Sequence, residues 1–126
     1  MLARSEMFSG FAVDDIPAAK AFYSATLGLE VTEANGMLQL HSPGGRHTLI
    51  YPKADHVAAG YTILNFPVDD IDATIDALAV KGVLMTRYDG MPQDEKGILR
   101  GRAANRGPDI AWFTDPAGNV LSVLCG

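Results

Sequence analysis

The sequence has 126 residues, 48% of them apolar and 20% charged, which is typical of one globular domain with its own apolar core. Its 15 acidic and 10 basic side chains give a net charge of −5. This charge argues against nucleic acid or an anionic membrane as a partner, because both bind positively charged surfaces. The single cysteine, Cys125, excludes an intrachain disulfide and a cysteine-based zinc site.

The N-terminal stretch MLARSEMFSGF contains no apolar run of signal-peptide length. No part of the chain approaches the ~18 consecutive apolar residues that would span a bilayer. We therefore expect a soluble, cytoplasmic protein with a single domain over residues 1–126.

One sequence pattern occurs twice, 55 residues apart. Gly10–Ala18 reads GFAVDDIPA and Asn65–Ala73 reads NFPVDDIDA, with six of nine positions identical. In both copies an apolar run predicts a strand, and a helical pattern follows the Asp-Asp pair. Asp15 and Asp70 are predicted to cap these helices rather than to act as catalytic carboxylates. The repeat predicts two modules, about residues 6–52 and 61–125.

The predicted elements give each module the order β-α-β-β-β. The first module has a strand at Met7–Val13, a helix that ends at Gly28, and strands at Leu29–Glu33, Met37–His41 and His47–Tyr51. The second has a strand at Tyr61–Val68, a helix that ends at Gly82, and strands at Val83–Arg87, Ile110–Thr114 and Asn119–Leu124. The fold class is therefore predicted to be α+β. A long loop, Tyr88–Pro108, is either functional or mobile.

Three pieces of the chain carry a family resemblance: FAVDDIPAAKAFYSATLGLEV (Phe11–Val31), FPVDDIDATIDALAVKGV (Phe66–Val83) and IAWFTDPAGNVLSVL (Ile110–Leu124). In these the chain resembles the vicinal oxygen chelate superfamily, which includes glyoxalase I, extradiol dioxygenases, fosfomycin-resistance enzymes and bleomycin-binding proteins. The resemblance implies two tandem modules whose mixed β-sheet forms a cup around a ligand cleft. It also implies a homodimer, which is the commonest form of soluble oligomer.

The resemblance further implies where a metal would be bound. The corresponding positions hold Phe8, Ile63 and Ser122, with Thr48 and Ile50 as candidates for a fourth ligand. Phe and Ile have no lone pair for a cation, and hydroxyl groups are weak neutral donors. The three histidines show no metal-binding spacing. We therefore predict no metal site and no cofactor.

Strand alternation divides the side chains between two sheet faces. The face predicted to pack against the helices carries Phe11, Val13, Leu38, Leu40, Leu49, Tyr51, Leu64, Phe66, Phe113, Leu121 and Val123. The opposite face is mostly apolar with a few polar groups, which is typical of a small-molecule pocket. Its candidate ligand-binding residues are Phe8, Gln39, His41, Thr48, Ile50, Ile63, Asn65, Trp112 and Ser122. The alternative is that this face forms a second core or a dimer contact.

Between Lys96 and Pro108 the chain carries four basic residues and no acidic one. One interpretation is a solvated, mobile loop, as charge runs usually are. The other is a lid with glycine hinges, in which Arg100 and Arg102 bind a carboxylate or phosphate. In that hypothesis Trp112 and Phe8 hold the aromatic body of the ligand.

The leading hypothesis is a metal-independent small-molecule-binding protein of the glyoxalase/bleomycin-resistance type. It would hold an apolar or aromatic compound without changing it. One alternative is a glyoxalase-like lyase or isomerase, or a ring-cleaving dioxygenase, with an atypical site. That enzyme would need unrecognised metal ligands, or acid–base catalysis by His41 or Tyr88. Another alternative is a structural or regulatory dimer with a vestigial cleft.

Overall fold

Each copy of the repeated pattern folds as a unit of its own in the computed structural model, which describes residues 1–126. The first unit is Met1–Val57 and the second is Ala58–Gly126. Each contains a four-stranded mixed sheet and one principal helix, so the predicted α+β fold of two modules is confirmed. No helix is both long enough and apolar enough to cross a lipid bilayer.

The first unit begins with a single 3-10 turn at Leu2–Arg4 and then follows the repeat. Its elements are β1 (Ser9–Val13), α1 (Ile16–Ala21), β2 (Glu30–Ala34), β3 (Met37–Ser42) and β4 (Arg46–Pro52). The sheet order is β1-β4-β3-β2. β1 runs parallel to β4, and the other pairs are antiparallel.

The second unit repeats this topology with a much shorter edge strand. Its elements are β5 (Thr62–Pro67), α2 (Ile71–Val80), β6 (Leu99–Arg100), β7 (Asp109–Thr114) and β8 (Val120–Cys125). The sheet order is β5-β8-β7-β6. β5 is parallel to β8 and carries a bulge between Thr62 and Leu64.

The predicted helix boundaries follow from side-chain chemistry at both ends. Asp15 accepts a hydrogen bond from the Ala18 N–H at 3.0 Å, and Asp70 accepts one from the Ala73 N–H at 3.0 Å. These bonds satisfy first-turn donors that have no partner within the helix. Past the C-terminal ends, Gly28 and Gly82 take φ values of +75° and +83°, the left-handed conformation that glycine adopts without strain. The first helix reaches Gly28 through a π-helical turn, Phe22–Thr26.

The predicted strand at Val83–Arg87 is wrong. This segment has one backbone hydrogen bond to the sheet, from the Thr86 N–H to the Trp112 carbonyl at 2.7 Å. The fourth strand of the second sheet is β6, only two residues long, which pairs with Ile110 and Asp109. β6 lies inside the stretch predicted as a loop. The sequence does not predict this strand, because Leu99 has too few apolar neighbours to show a strand period.

The predicted face assignment of β4 is also wrong. Thr48 pairs with Leu40, and Ile50 pairs with Leu38, so all four side chains share the face that packs against α1. Ile50 is fully buried, whereas Tyr51 is 41% exposed. Three successive apolar residues, Leu49 to Tyr51, fit either alternation, so the sequence alone could not decide between the two faces.

Candidate ligand-binding site

In the first unit, three of the predicted site residues lie on the sheet face opposite α1. His41 and Gln39 alternate with the buried Leu40 and Leu38, and His41 pairs across strands with His47. The Phe8 ring lies 4.8 Å from the His47 ring, centroid to centroid. The His41 ring forms a 2.8 Å hydrogen bond between Nε2 and the Thr32 hydroxyl. Thr48 and Ile50 are absent from this face, as the β4 register requires.

In the second unit, the predicted residues Asn65, Ser122 and Trp112 form one row across β5, β8 and β7. Ser122 is fully buried, and its hydroxyl donates a hydrogen bond to Asn65 Oδ1 at 2.5 Å. Since this bond occupies the carbonyl end of the side chain, it leaves the Asn65 amide N–H₂ free to donate.

The Trp112 side chain is fixed by contacts on two sides. Its indole Nε1 donates to the Thr62 hydroxyl at 3.1 Å, and the Tyr88 ring meets it edge-on at a centroid distance of 5.7 Å. Edge-to-face packing of this kind is favourable between aromatic rings. The face therefore presents an aromatic surface whose orientation is set by its neighbours.

Ile63 has a different position from the one predicted. It is the extra residue of the β5 bulge, so it has no register partner in β8. Thr62 instead pairs with Val120 and bonds to Trp112. Thr62 is a site residue that the sequence analysis missed, because no residue type near it signals a bulge.

A cleft of about 810 Å³ lies on the same side of the second sheet as Trp112. It is lined by Asp89, Gly90, Met91, Pro92, Leu99, Arg100, Gly101, Ala104, Arg106, Pro108 and Ile110. Ile110 is two residues from Trp112 on β7 and so shares its face, and Leu99 pairs with Ile110. The lining is mostly apolar with a few charged groups, as in pockets that bind small molecules.

The walls of this cleft come from the segment predicted as a loop, which is held by side-chain hydrogen bonds. Gln93 accepts from the Tyr88 N–H at 2.8 Å and donates to the carbonyls of Thr86 and Gly97 at 2.9 and 2.8 Å. Ile98 is fully buried. Gly97, one of the glycines that the lid hypothesis treats as hinges, is a point of close approach, since an added Cβ would lie 2.8 Å from Met85 Cβ.

Asp94 fixes the turn that leads into β6. Its Oδ1 accepts hydrogen bonds from the N–H groups of Lys96 and Ile98, both at 2.9 Å, and its Oδ2 accepts one from Arg100 Nε at 2.9 Å. Burial by itself would raise the pKa of Asp94, but these three hydrogen bonds outweigh it and lower that pKa. The carboxylate is therefore held in its charged form, as its three donors require.

Arg100 and Arg102 do not face a shared anion site. Arg100 pairs with Asp109 across the strands, so its side chain lies on the α2 face of the sheet. There its guanidinium binds Asp72 through two bonds of 2.9 and 3.1 Å, which lower the pKa of Asp72, and it also binds Asp94. The Arg102 guanidinium contacts Cys125 Sγ at 3.7 Å from Nη1, and the Arg102 backbone N–H donates to Asp109 at 3.1 Å. Arg100 also contributes to the cleft lining.

The residues at the positions of the implied metal ligands do not fit a divalent cation. Phe8 and Ile63 have no donor atom, and the Ser122 hydroxyl is buried and already bonded to Asn65. Nowhere in the chain do three His, Cys, Asp or Glu side chains lie close enough together to hold a metal ion.

Comparison with known proteins agrees with this architecture. A glyoxalase family protein from Enterococcus faecalis has a TM-score of 0.66 and 21% identity, covering 98% of this chain and 99% of that one. A superfamily member from Sphaerobacter thermophilus has a TM-score of 0.68 and 22% identity, covering 97% and 98%. A genomically encoded fosfomycin resistance protein from Listeria monocytogenes has a TM-score of 0.69 and 14% identity, covering 97% and 93%.

At these identities the structural likeness shows the fold alone, and no match was found among the curated proteins. The sequence itself gives the family, because residues 8–123 match the model of the Glyoxalase/Bleomycin resistance protein/Dioxygenase superfamily. With nearly the whole chain matched, this protein belongs to the Glyoxalase/Bleomycin resistance protein/Dioxygenase superfamily.

Proposed function

We propose that this protein is a metal-independent binding protein for a small apolar or aromatic compound, which it holds at the cleft beside Trp112. The observation that carries the proposal is the cleft of about 810 Å³ with its mostly apolar lining. Pockets of a few hundred to about 1,000 Å³ accommodate small organic molecules. The fixed indole of Trp112 lies on the same sheet face and offers an aromatic surface for stacking.

Binding rather than catalysis is the better-supported role at this site. The groups facing the cleft are apolar side chains, one aspartate and arginines. No nucleophile paired with a base lies among them, and acid–base or nucleophilic catalysis needs such a pair within hydrogen-bond reach. Family membership is compatible with this role, because one scaffold hosts many functions.

Filling the cleft should weaken binding of a neutral aromatic probe. Ala104 lines the cleft, and the adjacent Ala103 is exposed without lining it. We expect Ala104→Phe to weaken binding of biphenylacetamide by about tenfold or more, since a difference of about 1.4 kcal/mol has that effect. Ala103→Phe, which adds the same volume outside the lining, should bind like the unmodified protein.

Calorimetry, together with the fluorescence of the single tryptophan, would measure both affinities. The proposal fails if biphenylacetamide does not bind to the unmodified protein at millimolar concentration. It also fails if Ala104→Phe and Ala103→Phe weaken binding of the probe to the same extent, because the effect would then not depend on the cleft.

Purified protein should bind no stoichiometric divalent metal after dialysis. The reason is the donor set, since Phe8 and Ile63 cannot coordinate a cation and Ser122 is engaged with Asn65. Elemental analysis of dialysed protein would check this, with calorimetric titration of zinc, nickel and manganese alongside. One tightly held ion per chain would contradict metal independence and favour the enzyme hypothesis.

A further inference from the structure

We infer that the ligand of this cleft is an aromatic carboxylate and that Arg106 binds its carboxylate group. This inference rests on the proposed function and specifies its ligand class. It assigns to Arg106 a binding role that the sequence analysis gave to Arg100 and Arg102.

Two other cations of the segment have carboxylate partners inside the protein, and the third, Arg102, does not line the cleft. Lys96 Nζ forms ion pairs with Asp76 at 3.1 Å and Asp72 at 3.4 Å. Arg100 is bonded to Asp72 and Asp94. Because these charges are already neutralised by neighbouring carboxylates, they attract a further anion only weakly.

Arg106 differs from Lys96 and Arg100 in having no partner for its side chain inside the protein. Its guanidinium forms no hydrogen bond or ion pair within the chain, and it lines the cleft. A free guanidinium beside an apolar surface can bind a carboxylate through two parallel N–H···O bonds. This arrangement suits a ligand with an apolar body and an anionic end.

The backbone around Arg106 is held in place, which reduces the entropy lost on binding. The Arg106 N–H donates to the Gly101 carbonyl at 2.8 Å, and the Asn105 N–H donates to the Arg102 carbonyl at 3.1 Å. Asn105 itself takes a φ of +54°, the left-handed conformation that closes this turn. The guanidinium therefore projects from a defined turn, although its own side chain is exposed.

Asp89 limits the charge that the ligand can carry. It also lines the cleft, and no ion pair joins it to Arg106. A doubly charged phosphate would be repelled by Asp89 and by the net charge of −5. The same charges repel a singly charged carboxylate at Arg106 less strongly. The aromatic body would then occupy the apolar lining between the two charged residues.

The test compares biphenylacetate with its neutral counterpart, biphenylacetamide, by calorimetry. In the unmodified protein we expect the acid to bind about tenfold more tightly, the effect of one charge-assisted contact of about 1.4 kcal/mol. Arg106→Gln should remove this difference by weakening binding of the acid by about tenfold. Asp89→Asn should strengthen binding of the acid alone by about threefold, since it removes a repulsive charge.

Arg4→Gln is the matched control, because it removes the same charge from the first unit. It should preserve the preference for the acid. The inference is overturned if acid and amide bind equally well, or if Arg4→Gln reduces acid binding as much as Arg106→Gln does. In either case the proposed function would still be supported, provided that biphenylacetamide binds to the unmodified protein and binds more weakly to Ala104→Phe. Failure of both probes to bind would refute the proposed function and this inference together.

Discussion

Replacing Asp94 by alanine is expected to lower the free energy of unfolding by about 3 kcal/mol, the upper end of the cost of leaving a buried donor unsatisfied. The side chain accepts three hydrogen bonds, from the N–H groups of Lys96 and Ile98 and from Arg100. Ile98 is fully buried, so water cannot replace the lost acceptor without opening the turn. Because this turn precedes β6, the walls of the cleft should loosen as well.

Two further variants separate the causes of this effect. Asp94→Asn keeps the acceptor for the turn but replaces the oxygen that accepts from Arg100 by an N–H₂ donor, so it loses that one hydrogen bond and should cost about 1 kcal/mol. Glu95→Ala, at the exposed neighbouring position, should change stability by no more than ~0.5 kcal/mol. Urea denaturation, monitored by tryptophan fluorescence, would measure the free energy of unfolding of all three variants. A loss in Asp94→Ala no larger than that in Glu95→Ala would show that the carboxylate does not hold the turn.

A methyl group at Gly101 should destabilise the protein by about 3 kcal/mol, the upper end of the range for overpacking. A Cβ there would collide with the Pro108 carbonyl oxygen and would lie 3.0 Å from the Gly107 carbonyl oxygen. Both contacts are with backbone atoms, which cannot rotate away as a side chain can. The end of β6 and the turn that carries Arg106 would have to move apart, so Gly101→Ala should also weaken ligand binding.

Gly60→Ala provides the control for this substitution. An added Cβ at Gly60 meets no atom within 4 Å, and its φ lies outside the left-handed range. There the methyl group restricts the unfolded chain without a clash, so a small stabilisation of up to about 1 kcal/mol is expected. Thermal unfolding would compare the two variants. If Gly101→Ala were as stable as Gly60→Ala, the close approach of the two backbone segments would be refuted.

Local chemistry explains why much of the fold could be predicted. The Asp15 and Asp70 caps, the two glycine helix ends and the repeated strand pattern depend on residues adjacent in sequence, and the structure contains each of them. The sheet face that carries Asn65 and Ser122 could also be predicted, because these two polar residues alternate with apolar neighbours along their strands.

The rest depends on contacts between distant residues. The sequence marks Arg100 and Arg106 only as two cations, and it cannot show that Asp72, 28 residues away, binds the first and leaves the second free. The order of the segment from Tyr88 to Pro108 depends likewise on Gln93 and Asp94 finding backbone partners. The two-fold dimer stays a prediction.

The bulge in β5 bears on how the two halves of the chain could diverge from a common ancestor. β1 pairs with β4 without interruption, while β5 accommodates Ile63 as one residue more than its partner strand. That single residue shifts Thr62 to the face it shares with Trp112, upstream of a motif whose spacing is otherwise unchanged. A duplicated module can thus acquire a new polar group on its surface by a change in strand length alone, while the other copy keeps an uninterrupted strand.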